Sequence, residues 1–489
     1  MKKYIFGLTA ISALAISSCR KIESDGEKEV IVITQPGTGG GNTGQTITIS
    51  GRINADTTLR KENTYILKGL VYMVGDHVMT IEPGTTIKGS YSGSDVAALI
   101  ITRGSKLVAN GTQENPIVFT SSSPTPKSGD WGGILLLGKA SINTTFTGTG
   151  GGPGILEVEG GVNNANGDGL AGGGATPNDD DSSGVLKYVR IEYAGYAFQP
   201  DKEINSLTMA AVGRKTVIDH VQVTYAKDDA FEWFGGTVNC KYLIAYKTQD
   251  DDFDSDNGFS GSVQFGLIVR DSAIADISKS EAFESDNNAS GTTDNPQTKA
   301  VFCNVSAFGP AATLNNTGSS NYLGAAVQIR RNSSISIFNS ALVGWPIGIQ
   351  LNASQGNTDI NVKTKKTSQL SGVIIAGATK KPLDFVKGTS GTDGFADEAE
   401  FTTWFTSNTK NKILTTVDEI RYTRPFDYLN PDWQPFANSG SPTLITGTNT
   451  YFDDPILTAR PFIQKVNFIG GIGPSAEYAN WHKGWTRFN

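Results

Sequence analysis

The sequence predicts an all-β chain wound into a right-handed parallel β-helix, a single-stranded solenoid closed by a small C-terminal cap of helix and loop. Three observations carry that expectation. Of the 489 residues 57 are glycine, and Asn, Ser, Thr and Asp punctuate short runs rich in Val, Ile, Tyr and Phe, with no long amphipathic helical period. The runs recur at a spacing close to one rung of a β-helix, as in HVMTIEPGTTIKG from His77, KLVANGTQENPIVFTSS from Lys106 and WGGILLLGKASI from Trp131. One segment also returns with its aromatic residue in register: Asp229-Ala230-Phe231-Glu232, then Asp251-Asp252-Phe253-Asp254, then Glu281-Ala282-Phe283-Glu284.

The elements follow in order. At the start Lys2 and Lys3 precede an apolar stretch from Tyr4 to Ile16 and then Ser17, Ser18 and Cys19, which reads as an export signal over residues 1–18. The apolar run is shorter than the about 20 residues a membrane-spanning helix requires. A cysteine at the end of such a run resembles a bacterial lipobox, which implies lipidation of Cys19. Residues 19–46, charged and then rich in Gly, Thr and Pro, read as a flexible tether. A basic pair followed by acidic residues after the cysteine resembles the sorting signal of some lipoproteins on the outer face of the outer membrane.

Residues 47–385 carry the β-helix. A mature chain of roughly 470 residues is long for one compact domain, and an elongated repeat architecture escapes the usual limit on core size. Within it the Gly-rich stretch 148–184 reads as a long loop, mobile or else ordered by a ligand or cation. The pattern changes over residues 386–489, where Ala396 to Ser407 reads as one amphipathic helix, and the segments NPDWQPFANSGSPTL and HKGWTRFN read as a cap over the last coil.

Charge and cysteine usage exclude some functions. With 41 basic and 48 acidic side chains the net charge is -7, and no long basic run offers a nucleic-acid surface. His77, His220 and His482 lack metal-ligand spacing, so a histidine-based zinc or iron site is not expected. Cys240 and Cys303 align two coils apart with Phe265 between them, about 10 Å by coil spacing, so they are expected to be unbridged residues packed inside.

The register points to a site. From Phe231 to Phe253 is 22 residues, from Phe253 to Phe283 is 30, and the register continues through Val327 to Ile349, again a step of 22. If these residues stack inward, alternation turns Glu232, Asp254, Glu284, Gln328 and Gln350 outward, and two positions on come Phe234, Asp256 and Asp286. Like charges stacked about 4.8 Å apart repel, so the carboxylate ladder asks for a cation, a basic partner or a polyhydroxylated ligand. Calcium is the natural candidate, because it takes six to eight oxygen ligands. Glu232, Asp252, Asp254, Asp256, Glu284 and Asp286 are the candidate metal ligands. The run DDDFDSDNG does not make an EF-hand loop from Asp252, since Asn257 and Val263 stand where that motif needs Gly and Glu. Trp233, Phe234 and Phe259 are candidates for stacking on sugar rings, with Gln328 and Arg331 as polar contacts.

The phrases TIEPGTTI (Thr80 to Ile87) and LVANGT with NPIVFTS (Leu107 to Ser121) resemble the opening coils of envelope β-helix proteins. Together with DDAFEWFGGTVN, DDDFDSDNG and the ending near Trp485, the chain resembles a family of Gram-negative cell-envelope β-helix lipoproteins. The resemblance implies an outer-membrane, surface-exposed lipoprotein that binds a polysaccharide or other extended nutrient, in partnership with a TonB-dependent transporter. A weaker resemblance, to pectate-lyase-like and polygalacturonase-like β-helix enzymes, implies polysaccharide cleavage instead. There Asp228 and Asp229, then Arg330 and Arg331, stand in an order similar to that of the catalytic groups, Asp229 and Asp251 on neighbouring rungs could supply the two carboxyls of inverting hydrolysis, and a calcium-assisted lyase would use Arg330 or Lys227 as base. The coil that carries a histidine in the inverting hydrolases contains none here. A structural or adhesive role is the third alternative.

Overall fold

The computed structural model describes residues 33–35, 44–199, 202–310, 324–389, 391–427, 431–436 and 440–488; the expected signal and Cys19 lie outside them. Each coil passes through three strands, and successive coils stack these into three parallel sheets, a parallel β-helix. The first sheet contains Ala98–Ile101, Ile134–Leu137, Leu207–Ala210, Phe231–Phe234, Phe253–Asp256, Phe283–Ser285, Ala325–Ile329, Ile347–Asn352 and Lys381–Val386, paired in that order. The other two sheets are the two halves of longer strands such as Val217–Thr224, Asn239–Tyr246, Ser262–Val269 and Val301–Phe308.

A corner divides each of those long strands. Tyr188, His220, Tyr242, Phe265 and Asn304 occupy it with φ of 49, 54, 57, 64 and 56°. The left-handed region costs an L-residue about 1–2 kcal/mol, so side-chain contacts must hold it. They do: Tyr188 stacks on His220 at 4.4 Å, His220 on Tyr242 at 4.3 Å and Tyr242 on Phe265 at 4.9 Å.

The interior follows from strand alternation. Phe231, Trp233, Phe253, Phe259, Phe283 and Phe302 fill it, with Trp233 stacked on Phe259 at 5.2 Å and edge-on to Phe253 at 5.8 Å. Trp233 and Phe259 are both fully buried, which removes them as sugar-stacking residues. The register itself places Trp233 inward, two positions after Phe231. Trp233→Ala is expected to cost about 3–5 kcal/mol, measured as a lower denaturation midpoint, while ligand binding by the folded protein stays unchanged.

Two boundaries differ from expectation. Ile33–Gln35, within the expected tether, pairs antiparallel with the start of Thr46–Ile53. The helix runs on past residue 385: Lys412–Leu414 still pairs in parallel with Ile374–Ala376. The α-helix Glu398–Ser407 therefore lies inside the last coil, capped by Asp397, and inserts Phe401 and Phe405 into the end of the core.

The Gly-rich insert is folded rather than a bare loop. It makes two short antiparallel ribbons, Thr145–Phe146 with Gly152–Pro153 and Leu156–Glu157 with Leu170–Ala171. Val158, Val162 and Ala171 pack with Ile142 on Tyr72, Ile100, Leu135 and Leu137, the outer face of the first sheet in its early coils. Arg52 pairs with Asp168 at 2.8 Å, and Tyr72 Oη donates to Val162 O at 2.7 Å. Its glycines permit this close approach: at Gly172 φ is 99°, and a Cβ there would lie 2.2 Å from Gly154 O.

The C-terminal segment is a lateral strap, not a cap over the last coil. Gly470 N donates to Asn339 O at 2.8 Å and Gly471 N to Ser306 Oγ at 2.9 Å. Further on, Arg487 N and O bond the Gln222 side chain at 2.8 and 2.6 Å, and Lys483 O accepts from Gln113 at 2.9 Å. The chain thus runs back over earlier coils, and Phe468, Ile472, Trp481 and Trp485 cover apolar outer faces of the second and third sheets.

Candidate metal centre

The acidic ladder lies on the outer face of the first sheet in the register read from sequence. Glu232 pairs with Asp254, Asp254 with Glu284, Glu284 with Gln328 and Gln328 with Gln350, as Phe231, Phe253, Phe283, Val327 and Ile349 do beside them. A second row stands at the turn entering each strand: Asp229, Asp251 and Glu281. Backbone amides orient it, because Asp251 N donates to Asp229 Oδ1 at 2.9 Å and Glu281 N to Asp251 Oδ1 at 2.6 Å. One oxygen of each Asp is held by the next coil, and the Asp251 carboxyl also bonds that of Glu281.

These rows are sunk into the protein. Asp229, Glu232 and Asp251 are only 7%, 5% and 6% exposed. Three carboxylate groups have oxygens within 4.8 Å of one another: Asp228, Asp229 and Asp250; Asp229, Glu232 and Asp254; Asp251, Glu281 and Glu284. That separation is what two ligands at 2.3 to 2.6 Å from one calcium ion require, and an all-oxygen donor set suits a hard cation.

The groups differ in how their charge is met. In the third, Arg330 bonds Glu284, and Gln328 donates to Glu281 at 2.7 Å. Arg330 also meets Asp286 at 2.8 Å, and Arg331 meets Asp286 at 2.6 Å. In the second group, Asn205 donates to Glu232, but among the described residues no Lys or Arg forms a direct ion pair with Asp229, Glu232 or Asp254, and Arg330 acts on Asp254 only as a more distant charge. Asp254 Oδ1 is buried with no N–H or hydroxyl donor, and the group that meets the Asp254 carboxyl is another carboxyl, Glu232. A buried carboxylate oxygen left this way costs about 1–3 kcal/mol or more, so the second group is where a cation fits.

The electrostatics agree. Burial first, then repulsion from neighbouring carboxylates, pushes Asp228, Asp229, Glu232, Asp251 and Asp254 well above the usual carboxylate range. Burial and Asp276 raise Asp250 to about 7; burial and Asp286 raise Asp256 to about 6. Carboxyl groups outnumber the three arginines, Arg270, Arg330 and Arg331, that meet them here, and the ladder is held together by protons or by cations.

Several expected site residues take other roles. Asp252 is not a metal ligand: its carboxylate is fully buried against Arg270 at 2.8 Å, inside the turn. Arg330 is not a base, because Glu284 and Asp286 hold it as a cation and push its pKa further up. Phe234 does point outward but packs against the Gly-rich insert's cluster. Gln328 and Arg331 lie at the ladder's far end, each bonded to a carboxylate. Cys303 faces outward under the strap beside Phe468, one position out of register from Cys240, which pairs with Val263 and through it with Phe302. Asn205, Glu281 and Arg270 were missed: Glu281 repeats the place of Asp229 and Asp251 two before the aromatic residue, whereas Asn205 and Arg270 belong to no repeated phrase.

A parallel β-helix with a recessed carboxylate site on the outer face of one sheet is the class of protein that this fold and site define. Residues 51–416, most of the chain, match the model of the pectate-lyase like beta helix domain, and the chain belongs to that family. No curated protein and no solved structure matches it.

Proposed function

We propose that this protein is a lipid-anchored outer-membrane protein, held by Cys19 at the cell surface, that binds calcium in its acidic ladder and an extended polysaccharide on that face. The observation that carries the reading is Asp254 Oδ1, buried with no N–H or hydroxyl donor beside Asp229 and Glu232. Calcium held by these three residues would offset two of their three negative charges and present open coordination positions to sugar hydroxyls or carboxylates. Asp228 and Asp250, which share Asp229, would adjoin the same cation. The flat face of a solenoid suits a linear ligand. Family membership supports a polysaccharide-related role, and the leader with its cysteine supports the anchor and a role alongside a TonB-dependent transporter.

A second reading, polysaccharide cleavage, is favoured by the raised carboxyls of Asp229 and Asp251, since a general acid must stay protonated near neutral pH. One experiment separates the two. The mature protein is incubated with neutral and uronic-acid glycans, with calcium or with chelator, and retention, new reducing ends and ultraviolet absorbance of unsaturated uronides are followed. Calcium-dependent retention without new ends is the expected result; new ends or a rise in that absorbance would establish the enzyme, and no retention on any glycan would overturn the polysaccharide reading.

A further inference from the structure

Arg270 is fully buried, yet its guanidinium reaches two successive turns of the acidic site. Its Nε pairs with Asp252 at 2.8 Å; Nη1 donates to Thr248 O at 2.8 Å, and Nη2 to Asp250 O and, at 2.6 Å, to Glu281 O. The face of Trp345 lies 5.8 Å from it. One planar group therefore ties the 248–252 turn to the turn at Glu281 and fixes the distance between them. Those turns supply the amides that orient the ladder, Asp251 N to Asp229 and Glu281 N to Asp251. One coil earlier, Val269 is matched by Tyr246, so the equivalent residue is Lys247, which turns to Asp271 at 3.0 Å instead.

We infer that Arg270 is the positioning residue of the cation site: acting through the Asp251 and Glu281 amides, it sets the orientation of the Asp229 and Asp251 carboxylates. The inference rests on the calcium reading above. A lysine at this place keeps the charge beside Asp252 but has only three N–H donors on one nitrogen for the four acceptors Arg270 spans, Asp252 and the three carbonyl oxygens, whereas Asp252→Asn keeps the guanidinium and releases its anchor. Both variants are titrated with calcium and with terbium, whose luminescence reports coordination directly, at a temperature where circular dichroism shows them folded.

Arg270→Lys is expected to weaken calcium binding at least tenfold, and Asp252→Asn several-fold, with altered terbium luminescence decay. If the variants lose thermal stability but bind calcium as wild type does, Arg270 is only a structural ion pair and the inference is overturned. If Arg270→Lys does not fold, unchanged affinity in Asp252→Asn overturns it alone. Absence of calcium binding in the wild type would instead remove the reading on which it rests.

Discussion

Stripped of divalent cations, the protein is expected to be most stable near pH 4 and to lose stability as the pH rises towards 7, by several kcal/mol in total. The sign follows from the direction in which the carboxyls are displaced. Asp250 is raised from 3.8 to about 7 and Asp256 from 3.8 to about 6, chiefly by burial. Below pH 4 these groups are protonated in both folded and unfolded chains, and their contribution is fully present. Between about 4 and 7 the unfolded chain releases its protons while the folded chain must keep them or bear the repulsion, so the contribution is lost. Each tenfold difference in proton affinity between the folded and unfolded chains corresponds to about 1.4 kcal/mol, and coupling between the carboxyls makes the sum smaller than the parts. Calcium should reverse the trend. Because it binds the deprotonated ladder, its affinity rises with pH, and saturating calcium at pH 7 restores what ionisation removes. Melting curves at pH 4.5, 6 and 7.5, with chelator and with calcium, measure both effects. A melting temperature in chelator that rises across this range would show the ladder to be ionised and satisfied without a metal.

Truncation at residue 440 is expected to have a still broader effect. As a cap over the last coil, the C-terminal segment would be dispensable to the early coils; as a strap, it is needed along the solenoid. Its removal uncovers Ile244, Leu267, Val343 and Ile374 on the third sheet and Phe265, Val301 and Phe338 on the second. Contiguous apolar faces of that extent drive association. The truncated chain should bind hydrophobic dyes and aggregate, with amide protection lost first around Tyr188, His220 and Tyr242, which Trp481 and Trp485 cover. Trp485→Ala alone should cost about 3–5 kcal/mol, because the ring is fully buried. Loss of protection confined to 374–414 would restore the cap.

What was legible in the sequence was what repeats. Phe231, Phe253 and Phe283 recur in a sheet whose strands pair residue for residue, so the inward row and the acidic row beside it could both be read. The register does not survive a turn of variable length. Strand Phe231–Phe234 reaches the next strand at Asn239, but Phe253–Asp256 reaches it at Ser262 and Phe283–Ser285 only at Val301. Carried across those turns, the alignment of Cys240 with Cys303 slips by one residue, and a one-residue slip turns a side chain to the opposite face. Depth was not legible either. A carboxylate one residue from a core aromatic looks like a surface charge, and it is the rows from adjacent turns, with Arg330 and Asn205 bonded to them, that bury it. Arg270 and Asp252 belong to the inside of a turn, where composition gives no sign that a charge pair is enclosed.

Calorimetric titration of the mature protein with calcium at pH 7.5, beside Asp254→Asn, tests the central claim most directly. Wild type is expected to bind calcium with release of protons, because the ion displaces them from Asp229, Glu232 and Asp254, and Asp254→Asn is expected to lose at least tenfold in affinity while remaining folded. No heat of binding in wild type, or equal affinity in the variant, would contradict the assignment of the buried carboxylate group as a cation site.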